Sequence, residues 1–169
     1  MGHQTFLQLN FDFIFKTALR KCTDYVLFSA DPRENVAEPL RIDVCDPYDR
    51  WGLKHDTYDF MFNANMVHIS PWKCTESLFA NAGEILKSQG RLFMYGPFAV
   101  DGKLEPKSNQ EFDTTLKLNN SEWGIRDLRD LEAEASRSEI TLEQVIDLPA
   151  NNKKRIKIFY CFPHKVFKV

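Results

Sequence analysis

Glycine is scarce in this chain and is missing from most of its first third. The sequence has 169 residues and 7 glycines, and no glycine lies between His3 and Trp51. A backbone that approaches a nucleotide closely usually needs glycine, because a Cβ atom would block the approach. An oxidoreductase that binds a dinucleotide through a glycine fingerprint therefore finds no support in this sequence.

Other signals are missing as well. The four cysteines are too scattered for a zinc pattern, so no metal site is predicted, and buried free thiols are expected. No apolar run approaches the length of a membrane span, and the N-terminus fits neither a signal peptide nor a myristoylation signal. The formal net charge is −2 and no long basic block is present. We therefore predict a cytoplasmic protein that binds neither nucleic acid nor membranes.

The composition, with 43% hydrophobic and 27% charged residues, suits one globular domain with an ample core. Its clearest unit is strand, helix, strand between residues 58 and 96. "YDFMFNANM" is strand-like, Ser70 is predicted to cap a helix that ends at "SQG" with Gly90, and "RLFMYG" is a second buried strand. This order predicts a βαβ unit with parallel strands. The buried face of its helix is predicted to consist of Cys74, Leu78, Phe79, Ala82, Ile85 and Leu86.

The remaining segments predict two more helices and a hairpin. A capping box at residues 108–111 starts one helix, and residues 125–137 form the next. "TLEQVIDL" and "RIKIFYCF" are expected to pair antiparallel. Near the N-terminus, apolar residues alternate from Leu7 to Phe15 and predict either an added strand or an exposed edge. The predicted fold is α/β, a mostly parallel sheet with a C-terminal antiparallel hairpin.

Polar residues follow three strands that we expect to be neighbours. Asn65 and His68 follow the first strand of the βαβ unit, Tyr95 ends the second, and Asp43 ends "PLRIDV". In open α/β sheets ligands bind beyond the carboxyl ends of the strands. His68 is either a general base or a core-edge histidine, and Asn65 either faces a ligand or makes a structural hydrogen bond. Asp43 either binds a ligand or caps a local N–H, and Tyr95 either lines the site or packs.

Several motifs resemble one family. The segment "DFMFNANMVHISPWKCTESLFANAGEILKSQGRLFMYGPFAVDGKLEPKSNQEFD", with "NSEWGIRDLRDLE" and "DLPANN" after it, resembles the methyltransferase-like protein 26 family. These are uncharacterised proteins with a class I S-adenosylmethionine-dependent methyltransferase fold, which is Rossmann-like. The resemblance covers roughly residues 39 to 160, and the motifs "HISPW", "YGPF", "EWGIRD" and "PANN" in that order are specific.

The resemblance implies S-adenosylmethionine as the cofactor and an unknown small molecule as the methyl acceptor. Asp43 would contact the adenine amine, Asp31 the ribose hydroxyls, and Asn65 would lie near the sulfonium. His68 and Tyr95 are the candidate catalytic residues, and no metal is implied.

One departure from the family limits this prediction. Class I methyltransferases carry a glycine-rich turn after their first strand, and this chain has no glycine there. Only about eight residues separate "YVLFSAD" from the strand near Leu40, too few for a parallel crossover. Either these strands are not parallel neighbours or, as we favour, the fold is N-terminally incomplete. We expect a divergent segment 1–38, a methyltransferase-like domain 39–162 and a tail 163–169. The alternative function is a cofactor-free pseudoenzyme or interaction protein, with a partner or a second copy bound at an exposed sheet edge.

Overall fold

The computed structural model describes residues 6–10, 23–25, 40–147 and 155–161. Within these ranges the chain forms seven strands, three α-helices and a short 3-10 helix. In chain order they are β1 (Phe6–Asn10), β2 (Thr23–Tyr25), β3 (Arg41–Asp43), the 3-10 helix (Tyr48–Trp51), β4 (Tyr58–Ala64), α1 (Trp72–Ile85), β5 (Leu86–Gly96), α2 (Lys107–Asn119), α3 (Leu128–Arg137), β6 (Ile140–Asp147) and β7 (Arg155–Cys161).

Five of these strands form the main sheet, in the order β1-β4-β5-β7-β6. β1, β4 and β5 are parallel, β7 is antiparallel to β5, and β6 is antiparallel to β7. The predicted α/β architecture with a C-terminal antiparallel hairpin is therefore confirmed. The added strand predicted near the N-terminus is confirmed for residues 6–10, whereas residues 11–15 lie outside the described part of the chain.

The strand that ends in Asp43 does not belong to the main sheet. β3 pairs antiparallel with β2 in a separate two-stranded sheet. The prediction that this strand is a neighbour of β4 and β5 in one sheet is therefore wrong. The physical reason is that a strand has only two edges, and those of β4 are taken by β1 and β5.

The βαβ unit of β4, α1 and β5 is confirmed. α1 buries its predicted face against the core, as the 3.6-residue period of its apolar residues indicated. α1 and α3 pack against each other, α1 also contacts β5, and α3 also contacts β6. The core includes the fully buried side chains of Met61, Leu78, Phe79, Ile85, Leu92, Met94 and Leu131.

The predicted ends of α1 are wrong. Ser70 does not cap the helix, because its hydroxyl donates to the carbonyl oxygen of Met66 at 3.1 Å, and α1 begins at Trp72. The helix also ends at Ile85 rather than at Gly90. Leu86 is buried and pairs with Tyr58 of β4, so strand pairing takes the residues that local propensity assigned to the helix.

The starts of the other two helices also differ from prediction. α2 begins at Lys107, before the predicted capping box, and no side chain caps it. Asn109 instead turns back and donates to the carbonyl oxygen of Glu105 at 2.8 Å. α3 begins at Leu128 because Asp127 caps it and accepts the backbone N–H of Arg129 at 2.9 Å. None of the helices in the described ranges is long and apolar enough to cross a membrane.

Candidate functional site

Three parallel strands end side by side at one edge of the main sheet. Asn10 of β1 lies opposite Ala64 of β4, and Ala64 lies opposite Tyr95 of β5. We call this row the carboxyl edge. Because ligands of open α/β sheets bind beyond such ends, the carboxyl edge and the loops that follow it form the candidate site.

Asn65 directly follows β4 and has a left-handed backbone. Its φ of 56° lies in a region that asparagine adopts more readily than most residues with a side chain. Its backbone N–H donates to the carbonyl oxygen of Tyr95 at 2.8 Å, so the chain leaves β4 by bonding to β5. The turn therefore explains an asparagine at this position, and contact between its half-buried side chain and a ligand stays a prediction.

The buried amide of this strand is that of Asn63, whereas Asn65, the predicted site residue, is half-buried. Asn63 is 1% exposed, and its Nδ2 donates to the sulfur of Met66 at 3.4 Å. The left-handed turn redirects the chain at Asn65, so only Asn63 keeps the inward register that it shares with Met61. In the alternating pattern of this strand, Asn63 lies on the same face as Met61, so its burial could have been predicted from the sequence.

His68 lies in the loop between β4 and α1 and packs onto the end of β5. It is 4% exposed, and its ring meets the ring of Phe112 edge-on with 5.6 Å between centroids. A Cβ atom added to Gly96 would lie 3.5 Å from its Nδ1. The structure therefore brings His68 beside the residue that follows Tyr95. Burial fits a core-edge histidine, and a role as general base stays a prediction.

Asp43 is the last residue of β3, in the smaller of the two sheets. Its Oδ1 accepts the backbone N–H of Cys45 at 2.9 Å, and its carbonyl oxygen accepts the indole N–H of Trp51 at 3.0 Å. The alternative that Asp43 caps a local N–H is therefore confirmed, and its contact with a cofactor stays a prediction. Asp31, the other predicted carboxylate, lies outside the described residues.

Asn81 of α1 fixes the turn that follows Asp43. Its Oδ1 accepts the N–H of Tyr48 at 2.9 Å, and its Nδ2 donates to the carbonyl oxygens of Val44 and Asp46 at 3.1 and 2.9 Å. One buried amide thus satisfies three backbone groups of the turn. Asn81 was not predicted, although a polar residue between Leu78 and Ile85 on the buried helix face is a visible signal.

A segment between α2 and α3, residues 122–127, crosses the loop that carries His68. We call it the strap. Its Gly124 N–H donates to the carbonyl oxygen of His68 at 3.0 Å, and its Ile125 N–H donates to Oδ1 of Asp113 at 2.7 Å. The Arg126 guanidinium donates to the carbonyl oxygens of Val67 and Ser70 at 3.0 and 2.7 Å. The motif "EWGIRD" indicated only a family resemblance in the sequence, so these contacts were not predicted.

Two of the four cysteines, Cys45 and Cys74, lie near the turn that follows Asp43. Buried free thiols were predicted. Cys45 is free but only half-buried, and Cys74 is buried but disulfide-bonded, so the prediction is confirmed for the free thiol of Cys45 and wrong for that of Cys74. Their sulfur atoms are 3.5 Å apart. Burial raises the pKa of the Cys45 thiol, and the negative charge of Asp43 raises it further. Cys45 is therefore a weakly ionised thiol near neutral pH.

A family model described as "Protein of unknown function (DUF938)" matches residues 17–159. The match begins inside segment 1–38, which was predicted to be divergent. The boundaries of the three segments remain predictions.

Solved methyltransferase structures are similar to this chain in fold. CalO1, a methyltransferase in calicheamicin biosynthesis in its S-adenosylhomocysteine-bound form, is 14% identical, with a TM-score of 0.54 over 64% of this chain and 31% of that chain. A putative O-methyltransferase from Nostoc punctiforme is 15% identical, with a TM-score of 0.55 over 63% of this chain and 32% of that chain.

LepI in complex with S-adenosylmethionine is 12% identical, with a TM-score of 0.55 over 63% of this chain and 27% of that chain. The matched region is about a third or less of the length of each of these proteins. Likeness at such identities shows the fold alone. The fold is a Rossmann-like methyltransferase fold.

Proposed function

We propose that this chain, which belongs to the DUF938 family, is an S-adenosylmethionine-dependent methyltransferase-like protein that acts on a small molecule. The observation that carries the proposal is the carboxyl edge, where three strands end in register and Asn65, His68 and Tyr95 come together. The fold supports it, because proteins of this architecture bind ligands at that edge. The resemblance to the methyltransferase-like protein 26 family supports it as well.

The polar groups that the structure describes suit the adenosyl and sulfonium parts of the cofactor. The positive sulfonium would meet the uncharged Asn65 and Tyr95 rather than a lysine or an arginine. The adenine amine can only donate hydrogen bonds, so it needs an acceptor such as Asp43. The bond from Cys45 to Oδ1 of Asp43 leaves acceptor capacity on that carboxylate.

When bound, the cofactor supplies an electrophilic methyl group on its sulfonium. The residues of this chain would then hold the acceptor in line with that group and exclude water. The His68 imidazole would take a proton from an acceptor N–H or O–H, and Tyr95 would help to position the acceptor. An acceptor that arrives as a thiolate needs no base, so such a substrate would not depend on His68.

A cofactor-free pseudoenzyme or interaction protein is the second candidate. The observation that favours it is the absence of glycine between His3 and Trp51, which includes the residues that follow β1. A backbone that carries side chains throughout this stretch approaches the amino-acid end of the cofactor less closely. In this case an exposed edge strand of the main sheet, rather than the carboxyl edge, would bind a partner or a second copy of the chain.

Calorimetric titration of the full chain with S-adenosylhomocysteine tests the proposal. Asn65→Gly is the sharpest variant, because glycine keeps the left-handed turn and removes only the amide. Asp43→Asn removes the charge and keeps an oxygen for the N–H of Cys45. Asn119→Ala, at the exposed end of α2, is the matched control.

We expect micromolar binding by the wild-type chain and by Asn119→Ala. Binding should weaken about tenfold or more in each site variant, since one lost hydrogen bond of about 1.4 kcal/mol changes the dissociation constant by that factor. No heat from a chain that circular dichroism shows to be folded would refute the proposal and favour the cofactor-free alternative.

A further inference from the structure

We infer that Arg126 is a positioning residue that sets the place of His68 at the carboxyl edge. The inference rests on the proposed function where it concerns ligand binding, and on geometry alone where it concerns the place of the ring. The Arg126 guanidinium donates to the carbonyl oxygens of Val67 and Ser70, the residues that bracket His68 and Ile69. A third bond, 2.7 Å long, goes to the carbonyl oxygen of Glu122 within the strap.

The backbone of His68 is also held from the strap. The N–H of Gly124 donates to the His68 carbonyl oxygen at 3.0 Å. Carbonyl groups at three of the four positions from 67 to 70 are therefore bound by residues 124–126. The loop takes these bonds from the strap rather than from β4 or α1, so the strap determines where the imidazole lies over Gly96.

Only an arginine has the donors for this arrangement. Its planar fork carries five N–H groups in fixed directions, whereas lysine has one ammonium group that cannot span three carbonyl oxygens in this way. The guanidinium carbon also lies 5.7 Å from the centre of the Trp72 ring, within range of a cation–π contact. Burial lowers the pKa of Arg126, and the carboxylate of Asp113 opposes that change.

The strap itself has fixed anchors, so it is a firm support for the loop. The N–H of Ala99 donates to the carbonyl oxygen of Arg126 at 3.0 Å, which joins the strap to the chain after β5. The carboxylate of Asp113 accepts the N–H of Ile125 on the α2 side. A Cβ atom on Gly124 would lie 3.0 Å from Oδ1 of Asp113. The strap therefore joins the chain after β5, helix α2 and the His68 loop, and Arg126 supplies its side-chain bonds to that loop.

The test compares Arg126→Ala and Arg126→Lys with two controls at a temperature where all are folded. Arg137→Ala removes an exposed arginine, and Ile140→Val removes a methyl group from the core and destabilises the chain without touching the loop. The first measurement is the NMR chemical shift of the His68 ring proton on Cε1, assigned by its loss in His68→Gln. The second is the dissociation constant for S-adenosylhomocysteine.

We expect both Arg126 variants to displace the His68 resonance and to weaken binding about tenfold or more, while the two controls leave both unchanged. If only the melting temperature falls and the His68 resonance stays in place, Arg126 is structural and the inference is overturned. If the wild-type chain binds no S-adenosylhomocysteine, the proposed function fails, and the His68 resonance alone decides the role of Arg126. Arg126→Lys keeps the charge and supplies this answer if Arg126→Ala does not fold.

Discussion

Replacing Asn81 by alanine should release the turn after β3 from α1. The side chain is 6% exposed and makes three hydrogen bonds to backbone groups of residues 44–48. The variant would leave all three groups without this partner and would open a gap on a buried helix face. The turn also carries Asp43 and Cys45, so the same change should loosen the predicted adenine-binding carboxylate.

The expected loss follows from counting these bonds. Each hydrogen bond contributes about 1 kcal/mol net, so three give about 3 kcal/mol of unfolding free energy. Val44 is fully buried, so water does not replace the partner of its carbonyl oxygen, whereas Asp46 and Tyr48 are partly exposed and water recovers some of their loss. The melting temperature of a domain of this size should fall by about 6 to 12 °C.

Urea denaturation gives the free-energy difference, and hydrogen exchange locates it. The Tyr48 amide is the direct reporter, because its N–H is bound to the Asn81 side chain. Asn81→Asp should retain part of the protection of this amide, since it keeps the acceptor oxygen and loses the two donor bonds. The control is Asn119→Ala, whose exposed amide bonds only within α2, and its effect should stay within about 0.5 kcal/mol.

Two results would contradict this prediction. In the first, Asn81→Ala lowers the unfolding free energy no more than Asn119→Ala, and in the second, the Tyr48 amide loses no more protection than the amides of β5. Either result would mean that other contacts dock the turn onto α1.

Two further predictions concern pKa shifts. Burial alone would raise the pKa of Asp127, but the bonds from the Arg129 N–H and guanidinium and from the Gly102 N–H outweigh it and lower the pKa. Because the native pKa is lowered, the carboxylate stabilises the fold at pH values above its unfolded pKa of about 3.9. This stabilisation is lost as the pH falls through the native pKa. Asp127→Ala should therefore lower the free energy of unfolding by about 1 kcal/mol at pH 7 and by less in acid. Urea denaturation at both pH values measures this difference, and an equal loss at both would contradict the prediction. Asp43→Asn should lower the pKa of Cys45 and speed its alkylation by iodoacetamide at constant pH, measured by peptide mass spectrometry, and an unchanged rate would contradict the role of that charge.

Local sequence patterns predicted part of the candidate site. Asn65, His68 and Tyr95 were identified because each follows an apolar strand, and the structure brings them to one edge. Arg126 was not identified, because its partners are backbone carbonyl oxygens 56 and 59 positions away. Every residue has a backbone carbonyl group, so the order of side chains does not show which carbonyl group an arginine will bind. Asn81 was visible as a polar residue on the buried face of α1, but its backbone partners, 33 to 37 positions away, had no such signal.

Most of the elements and their order followed from local sequence patterns. The apolar period of α1, the apolar runs of β4 and β5 and the paired runs of β6 and β7 are local patterns, so they predicted a parallel unit followed by an antiparallel hairpin. The identity of the strand beside β4 could not be predicted from such patterns. β1 takes that edge and β3 does not, because strand edges compete for partners from distant parts of the chain. The same competition ended α1 at Ile85, since pairing of Leu86 with Tyr58 outweighed the local preference for helix.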